Sequence, residues 1–286
     1  MDNLKAKKRH PEEIAVYSAI YVCAAFSVLL LLGIIVYVFA KGARRVNWAF
    51  LTGVTSILHG TVGIAGNILN TLIIILLTMI ITTPIGVGAA IYLNEYAKPG
   101  KLVTVIIFAT ETLAGIPSII FGLFGMLFFG QLCHMGYSLL TGSLTLTLMV
   151  LPLVTRNTQE ELKTVHDSFR TGAVGLGAGK WYTIRTILLP SAMPGIVTGV
   201  ILAIGRIIGE SAALLFTAGS AHLLPKTFDA FLEKIFHSGG TLTIQLYLSA
   251  SKGEFEVAFG IAVVLLVIVL LINFGTKRLA KKLEKH

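Results

Sequence analysis

The sequence predicts an all-α integral membrane protein with six transmembrane helices, because of its composition and the length of its apolar runs. Of the 286 residues, 55% are hydrophobic and 13% are charged, whereas a soluble domain carries about 25% charged residues. Mean hydropathy is +0.84. Runs of ~20 apolar residues are long enough to cross the hydrocarbon core of a bilayer. Six segments meet this requirement, at approximately 14–40, 68–93, 103–132, 137–155, 190–218 and 256–276.

The basic residues predict the orientation of these helices. With a cytoplasmic N-terminus, sixteen of the 23 Lys and Arg residues fall in cytoplasmic pieces and six in external ones, as the positive-inside rule requires. We therefore expect a multi-pass membrane protein with both termini in the cytoplasm. Lys41, Arg44 and Arg45, at the outer end of the first helix, depart from the rule. The cytoplasmic pieces are 1–13, 94–102, 156–189 and 277–286.

Charge and cysteine content exclude other classes of protein. A net charge of +9 would suit a nucleic-acid partner, but the basic residues cluster just outside the apolar runs, where topology places them. Cys23 and Cys133 lack metal-ligand spacing, so we expect free thiols and no metal site. We predict one six-helix domain, 14–276, between basic tails at 1–13 and 277–286.

Helix breaks and external segments complete the expected fold. Residues 46–66 are expected to contain a short helix, and 241–248 either a strand or a helix. The pattern over 228–236 predicts an amphipathic helix with Lys234 off its apolar stripe. That stripe either packs on the membrane domain or docks an external partner. Four prolines are expected to mark kinks or helix ends, namely Pro84, Pro117, Pro152 and Pro194.

A polar, glycine-rich loop, residues 156–189, separates the fourth and fifth helices. Asp167 or Ser168 can cap a short helix that runs to about residue 178. Gly179 then breaks the chain, and a second short helix is predicted up to 188, ending where Pro190 opens the next transmembrane helix.

Glycines at 172, 175 and 177 would leave one side of the first short helix bare, so that another backbone could approach closely. Transmembrane helices need no such glycine-marked turn in the cytosol. The pattern therefore indicates a protein partner at the polar loop.

The spacing of this loop resembles the signature of ABC importer permeases, the EAA loop that docks on the ATP-binding subunit. The signature is Glu-Ala-Ala, three residues, Gly, nine residues, then Ile-x-Leu-Pro. Thr171-Gly172-Ala173 stand here where Glu-Ala-Ala would be, which removes the basis for a salt bridge from that position. The resemblance implies an ATPase-coupling loop that includes Thr171, Gly172, Ala173, Gly177, Ile187, Leu189 and Pro190.

A second resemblance covers nearly the whole chain. GRIIGESAALLFTAG at 205–219 and LAGIPSIIFGLFG at 113–125 are similar to the A-type permeases of Pst phosphate importers. This implies a type I ABC importer permease fold in a bacterial plasma membrane. It also implies phosphate as substrate, a homologous second permease (PstC type), an ATPase dimer (PstB type) and an external phosphate-binding protein (PstS type). Since the chain has no GxxxxGK[ST] loop, we expect no catalytic activity and no bound cofactor, with ATP and magnesium on the ATPase.

Charged residues inside the predicted helices are the candidates for the translocation pathway. Arg206 follows fifteen uncharged residues, and a charge at such depth costs roughly 2.5–3.5 kcal/mol to insert, so it should face protein or water. A guanidinium offers planar donors to two phosphate oxygens. Glu210 and Glu111 are the other pathway candidates.

The alternative is that these charges only hold the fold, through an ion pair of Arg206 with Glu210 or Glu111. Arg206 and Glu210 would share a helix face at i, i+4, although acid before base is the better local order. For Glu111, about eight residues into the third helix, packing or pairing is likewise the alternative.

The sequence thus predicts the permease subunit of an ATP-driven importer of inorganic phosphate. A permease for another oxyanion, such as sulfate or molybdate, would share the loop but should lack the charges at 206 and 210. An ATP-independent secondary transporter or an intramembrane enzyme would need coupling carboxylates or His/Cys clusters, for which only Glu111 and Glu210 are candidates.

Overall fold

The computed structural model describes residues 11–56, 61–225 and 227–283, and these are almost entirely helical. Five helices are long and apolar enough to span a bilayer, and a bent pair of helices, counted as one span, makes the sixth. The predicted all-α class with six crossings is confirmed. The elements are α1 Pro11–Gly42, α2 Trp48–Thr52, β1 Val54–Ser56, β2 Thr61–Ile64, α3 Ala65–Ile91, α4 Lys101–Gly115, α5 Ser118–Gly125, α6 Leu139–Thr164, α7 Asp167–Gly175, α8 Lys180–Thr183, α9 Leu189–Gly209, α10 Ala212–Thr217, α11 Phe228–Glu233, α12 Leu242–Ser251 and α13 Phe255–Leu283.

The core lies between α3, α6 and α9, with α6 at its centre. Close approach of α9 to α6 depends on two glycines, because a Cβ at Gly195 or Gly199 would collide with Glu161 or Asn157 of α6. The GxxxG step formed by Gly195 and Gly199 thus allows a tight contact between α9 and α6.

The third crossing is bent by 104° between α4 and α5. Pro117 stands immediately before α5, so the predicted break at this proline is confirmed. The other three prolines lie inside helices that continue through them, namely Pro84, Pro152 and Pro194.

Buried amides of α3 fix the segments at the end of the molecule opposite the polar loop. Asn67 and Asn70 each donate to the backbone oxygen of Gly240 at 3.0 Å. The hydroxyl of Thr71 accepts the backbone N–H of Leu242 at 3.0 Å. These bonds satisfy backbone groups that would be costly to bury unpaired, so irregular backbone is held in place beside the transmembrane helices.

The predicted amphipathic helix over 228–236 is shorter, since α11 gives way to a 3-10 turn at Lys234–Phe236. Phe231 and Ile235 pack on the main core. Lys234, expected to face solvent, is only 7% exposed because its Nζ donates to the backbone oxygen of Leu223. Burial lowers the pKa of this ammonium.

Other terminal and external predictions are partly correct. Residues 241–248 are helical, in α12. Residues 46–66 contain the expected short helix, α2, but also the antiparallel pair β1–β2. Residues 277–283 of the predicted C-terminal tail continue α13. The rest of both tails, 1–10 and 284–286, lies outside the described residues.

The predicted helix boundary at Pro190 is wrong. α8 continues through a π-helical turn, Ile184–Leu188, into α9, so that one helix runs from Lys180 to Gly209. Proline cannot donate an N–H to the helical ladder, and the wider π turn lies directly before it. The second short helix of the polar loop is therefore an extension of the fifth transmembrane helix.

The first short helix of the polar loop, α7, ends in a turn that favours glycine. Gly177 has φ +82°. Its N–H bonds to the oxygen of Val174, and the N–H of Ala178 bonds to the oxygen of Ala173, both at 2.9 Å, which is the Schellman pattern. The helix ends at Gly175, earlier than predicted. Gly177 is therefore needed for the backbone conformation of the turn, and not only because it lacks a side chain that would block a partner.

The start of α7 also differs from the prediction. The capping side chain is His166, whose Nδ1 accepts the N–H of Ser168 at 3.3 Å. Asp167 does not cap because its carboxylate accepts a hydrogen bond from Arg170 at 2.9 Å.

Gly177→Ala should loosen this turn, because an L-residue in the left-handed region costs about 1–2 kcal/mol. In the matched control, Gly172→Ala, the new methyl group meets no atom within 4 Å and replaces a helix-interior glycine, so it should be neutral or stabilising by up to ~1 kcal/mol. Amide hydrogen exchange across 167–188 should be faster in Gly177→Ala only. Equal exchange in the two variants would contradict the assignment.

Candidate functional site

Arg206 lies on an open face of α9, in its last turn. The exposed residues of this face are Thr198, Leu202, Gly205, Arg206 and Gly209. The buried residues of the opposite face are Ala203, Ile204, Ile207 and Ile208. The C-terminal end of a helix carries partial negative charge, which favours a cation there. Across residues 11–56, 61–225 and 227–283, Arg206 forms no ion pair, so its guanidinium is available to a ligand or a second subunit.

Glu210 does not share that face, and the predicted i, i+4 geometry is wrong. α9 ends at Gly209, and Glu210 is extended with φ −83° and ψ 121°. Its Oε1 accepts the N–H of Ala213 at 3.0 Å, and its backbone oxygen accepts the hydroxyl of Thr243 at 3.0 Å. A carboxylate at the start of α10 satisfies a free helix N–H. The side chain thus caps α10 instead of pairing along α9.

Glu111 is exposed on α4 and lines a cavity shared with α6. Arg156, Glu160 and Lys163 of α6 line the same cavity, and Arg156 and Glu160 form an exposed ion pair at 3.2 Å. The described lining of this cavity does not include Arg206. The structure therefore places Glu111 against charged residues at the start of the polar loop, apart from Arg206.

The polar loop presents apolar side chains to solvent. Large exposed apolar patches mark protein interaction sites. We call the following five residues, which are 53–91% exposed, the apolar patch: Phe169, Val174, Leu176, Trp181 and Tyr182.

The residues that match the family signature are distributed over the surface and base of the loop. Thr171, Gly172, Gly177 and Pro190 are exposed, whereas Ile187 and Leu189 are half-buried. Ala173 is buried at 6% exposure. The match therefore combines residues that a partner can reach with residues that hold the loop.

The anchor of the loop is Arg170, which the sequence analysis did not single out. Its Nε and Nη2 donate to Glu95 Oε1 at 3.3 and 2.9 Å. Nη1 donates to Asp167 and to the oxygen of Val165, and Nη2 also donates to the oxygen of Leu162, each at 2.9 Å. All five N–H donors of the guanidinium are thereby used.

This bonding joins three helices. Glu95 lies in the π-helical segment Tyr92–Tyr96 that continues α3, and Leu162 lies in the last turn of α6, whose end carbonyls lack helical partners. The Glu95 side chain is 9% exposed and that of Arg170 is 23% exposed. The hydrogen bond from Arg170 to Glu95 raises the pKa of the guanidinium, against the opposing effect of burial.

A second contact joins the polar loop to the same π-helical segment, this time from α8. Nζ of Lys180 stands 4.8 Å from the centre of the Tyr96 ring, a cation–π distance. One feature of the sequence could have indicated this anchor: Glu95 is the sole acidic residue in the cytoplasmic piece 94–102.

Comparisons with known proteins agree with this architecture. The family described as "Binding-protein-dependent transport system inner membrane component" matches residues 82–286. A probable ABC transporter permease of Bacillus subtilis, YqgI, is 34% identical over 92% of this chain and 93% of its own length. The phosphate transport system permease protein PstA of Xylella fastidiosa is 34% identical over 84% of this chain and 82% of its own length.

Two solved structures share the fold. A chain of a bacterial alginate ABC transporter superposes with a TM-score of 0.71 over 96% of both chains, at 14% identity. A chain of the MetNI methionine ABC transporter gives a TM-score of 0.58 over 77% of this chain and 94% of its own, at 20% identity. The chain therefore belongs to the binding-protein-dependent transport system inner membrane components and is an ABC importer permease of the PstA type.

Proposed function

We propose that this chain is the permease subunit of an ATP-driven importer of inorganic phosphate. The observation that carries the proposal is the guanidinium of Arg206, unpaired within the described residues, on the open face of a transmembrane helix. The name of the Xylella relative supports phosphate as the substrate. The family supports the presence of an ATPase and a substrate-binding protein as partners.

The surroundings of Arg206 suit an anion that must pass through. Gly205 and Gly209 have no atom within 4 Å of a notional side chain, so a ligand can reach both the guanidinium and the adjoining backbone. A phosphate ion entering a low-dielectric gap needs fixed positive charge to replace part of its hydration. A homologous second permease of the PstC type would close the pathway on the other side.

The two candidate carboxylates take different places along the proposed pathway. Glu210 is half-buried where α9 ends, and its negative charge lowers the attraction for phosphate so that the ion is not trapped. Glu111 lies in the mixed-charge cavity near the polar loop, where phosphate would leave.

The apolar patch would dock an ATPase of the PstB type, present as a dimer that holds ATP and magnesium. α8 and α9 form one helix. A displacement of Trp181 by the ATPase would therefore move the helix that carries Arg206, ~38 Å away at 1.5 Å per residue. The polar loop is then cytoplasmic, together with both termini. A phosphate-binding protein of the PstS type would dock at the opposite end.

Transport of another oxyanion is the second candidate. The B. subtilis relative bears no substrate in its name, and a guanidinium pairs as well with sulfate or molybdate oxygens as with those of phosphate. Uptake assays of the assembled transporter with each anion separate these possibilities.

Arg206→Gln should abolish phosphate uptake in the assembled transporter, because it removes the charge while keeping hydrogen-bonding capacity. Arg206→Lys should be partly active if charge alone matters and poor if the planar fork is needed. The control is Arg278→Gln, which removes an arginine near the C-terminal end of α13. The transporter with this substitution should take up phosphate normally. Since Glu210 caps α10, Arg206→Gln/Glu210→Gln should remain inactive. Recovery of uptake in that double variant would show that the charge of Arg206 is not needed in the pathway.

Leu176→Ser should weaken binding of the ATPase, because burial of a leucine side chain contributes about 1.5–3 kcal/mol, or roughly 10- to 100-fold in Kd. The control is Leu223→Ser, which changes a leucine that is 70% exposed at the opposite end. Titration of purified ATPase onto the permease in nanodiscs measures both. Equal affinities for the two variants would rule out the apolar patch as the docking site.

Arg170→Ala should uncouple ATP hydrolysis from transport, because the docked loop would no longer move with α3 and α6. The side chain of Arg170 is partly exposed, so its loss should cost less than the loss of one partner of a fully buried pair but more than the ~0–1 kcal/mol of a surface pair, and faster hydrogen exchange of 167–188 should accompany the defect. Arg185→Gln, an exposed arginine of the same loop, is the control. The measurement is ATP hydrolysed per phosphate imported, and an unchanged ratio in Arg170→Ala would contradict the anchor role.

A further inference from the structure

A cavity of about 840 Å³ lies between the ends of α1 and α13, on the side of the molecule opposite the polar loop. Three cations line it, Lys41, Arg44 and Arg45. Glu256 is the one acidic residue in its described lining. The site therefore carries an excess of positive charge.

These cations have little to neutralise them. Within residues 11–56, 61–225 and 227–283, none of the three forms an ion pair. The Nε of Arg45 is buried without a hydrogen-bond partner. Its guanidinium is held 5.8 Å from the centre of the Phe50 ring, and Gly260 leaves room for its stem, since a Cβ there would lie 3.1 Å from Arg45 Cγ. Arg45 is thus positioned, with one donor left unsatisfied.

The position of the cluster is unusual for a membrane protein. The proposed orientation makes this end external, where Lys and Arg are disfavoured. A cluster of cations at such a place needs a compensating anion, because like charges close together repel.

The lining below the charges is aromatic. Tyr37 and Phe259 meet edge to face at 5.7 Å between ring centres, and Phe255 lines the same cavity. Tyrosine is enriched at the level of lipid head groups. The central part of α1 has no buried residues within the described structure, so the cavity adjoins a helix surface open to lipid.

We propose that Lys41, Arg44 and Arg45 bind the phosphate group of an anionic phospholipid in the outer leaflet. Inorganic phosphate shares this chemistry. The aromatic floor and the lipid-facing surface of α1 favour the phospholipid, since its glycerol and upper acyl segments would cover Tyr37 and Phe259, whereas a free phosphate would leave them exposed. The bound lipid would bridge α1 and α13, which meet closely where Gly42 faces Phe259.

Tryptophan fluorescence can test the site in the full-length chain. The chain has two tryptophans, and Trp181→Phe leaves Trp48, three residues beyond Arg45. The protein is placed in nanodiscs of phosphatidylcholine with a fixed fraction of either brominated phosphatidylglycerol or brominated phosphatidylcholine. We expect stronger quenching of Trp48 by phosphatidylglycerol. Removing the three charges in Lys41→Gln/Arg44→Gln/Arg45→Gln should reduce that preference by about tenfold or more.

Controls separate this site from general electrostatics. Lys252→Gln removes an exposed cation from the same end of the molecule and should keep the preference. If the triple variant does not fold, Arg44→Gln, a change at an exposed side chain, should still show a reduced preference. Equal quenching by the two lipids in the Trp181→Phe background, or a loss in Lys252→Gln as large as in the triple variant, would overturn the proposal. Abolition of the preference by millimolar inorganic phosphate would assign the site to free phosphate and overturn the lipid as its occupant.

Discussion

The bonding of one guanidinium determines how the polar loop relates to the rest of the molecule. Arg170 links α7 to the π-helical extension of α3 through Glu95 and to the last turn of α6 through backbone oxygens. A helix end leaves carbonyl groups without partners, and an arginine with five donors can satisfy them while pairing with a carboxylate. The loop is therefore anchored to two core helices, although its outer surface is exposed and apolar.

The polar loop also continues into α9. The loop is therefore both fixed to α3 and α6 and continuous with the helix that carries Arg206. α9 has two GxxxG steps, Gly195/Gly199 and Gly205/Gly209, and their surroundings differ. Gly195 and Gly199 bring the helix against α6, whereas Gly205 and Gly209 have open space beside them. Small residues allow a close helix contact where a neighbour is present and expose backbone where none is. Arg206 lies on this open stretch, and the aliphatic side chains opposite it hold the helix in the core.

Local chemistry explains what the sequence predicted correctly. Apolar runs and proline each act over one helix or its ends, so the apolar runs were enough to find six crossings and Pro117 was enough to find the break. The spacing from Gly177 to Pro190 was enough to find the family.

Tertiary contacts decided the rest, because they join residues far apart in the chain. The end of α9 at Gly209 depends on contacts of Glu210 with Ala213 and Thr243, which no periodicity shows. Lys234 is buried because the carbonyl of Leu223 folds back to it. Composition and the lengths of the apolar runs thus determined that the chain crosses a membrane six times as helices. Which helix faces are covered, and which charges lie open or serve as caps, followed only from the packing of distant segments.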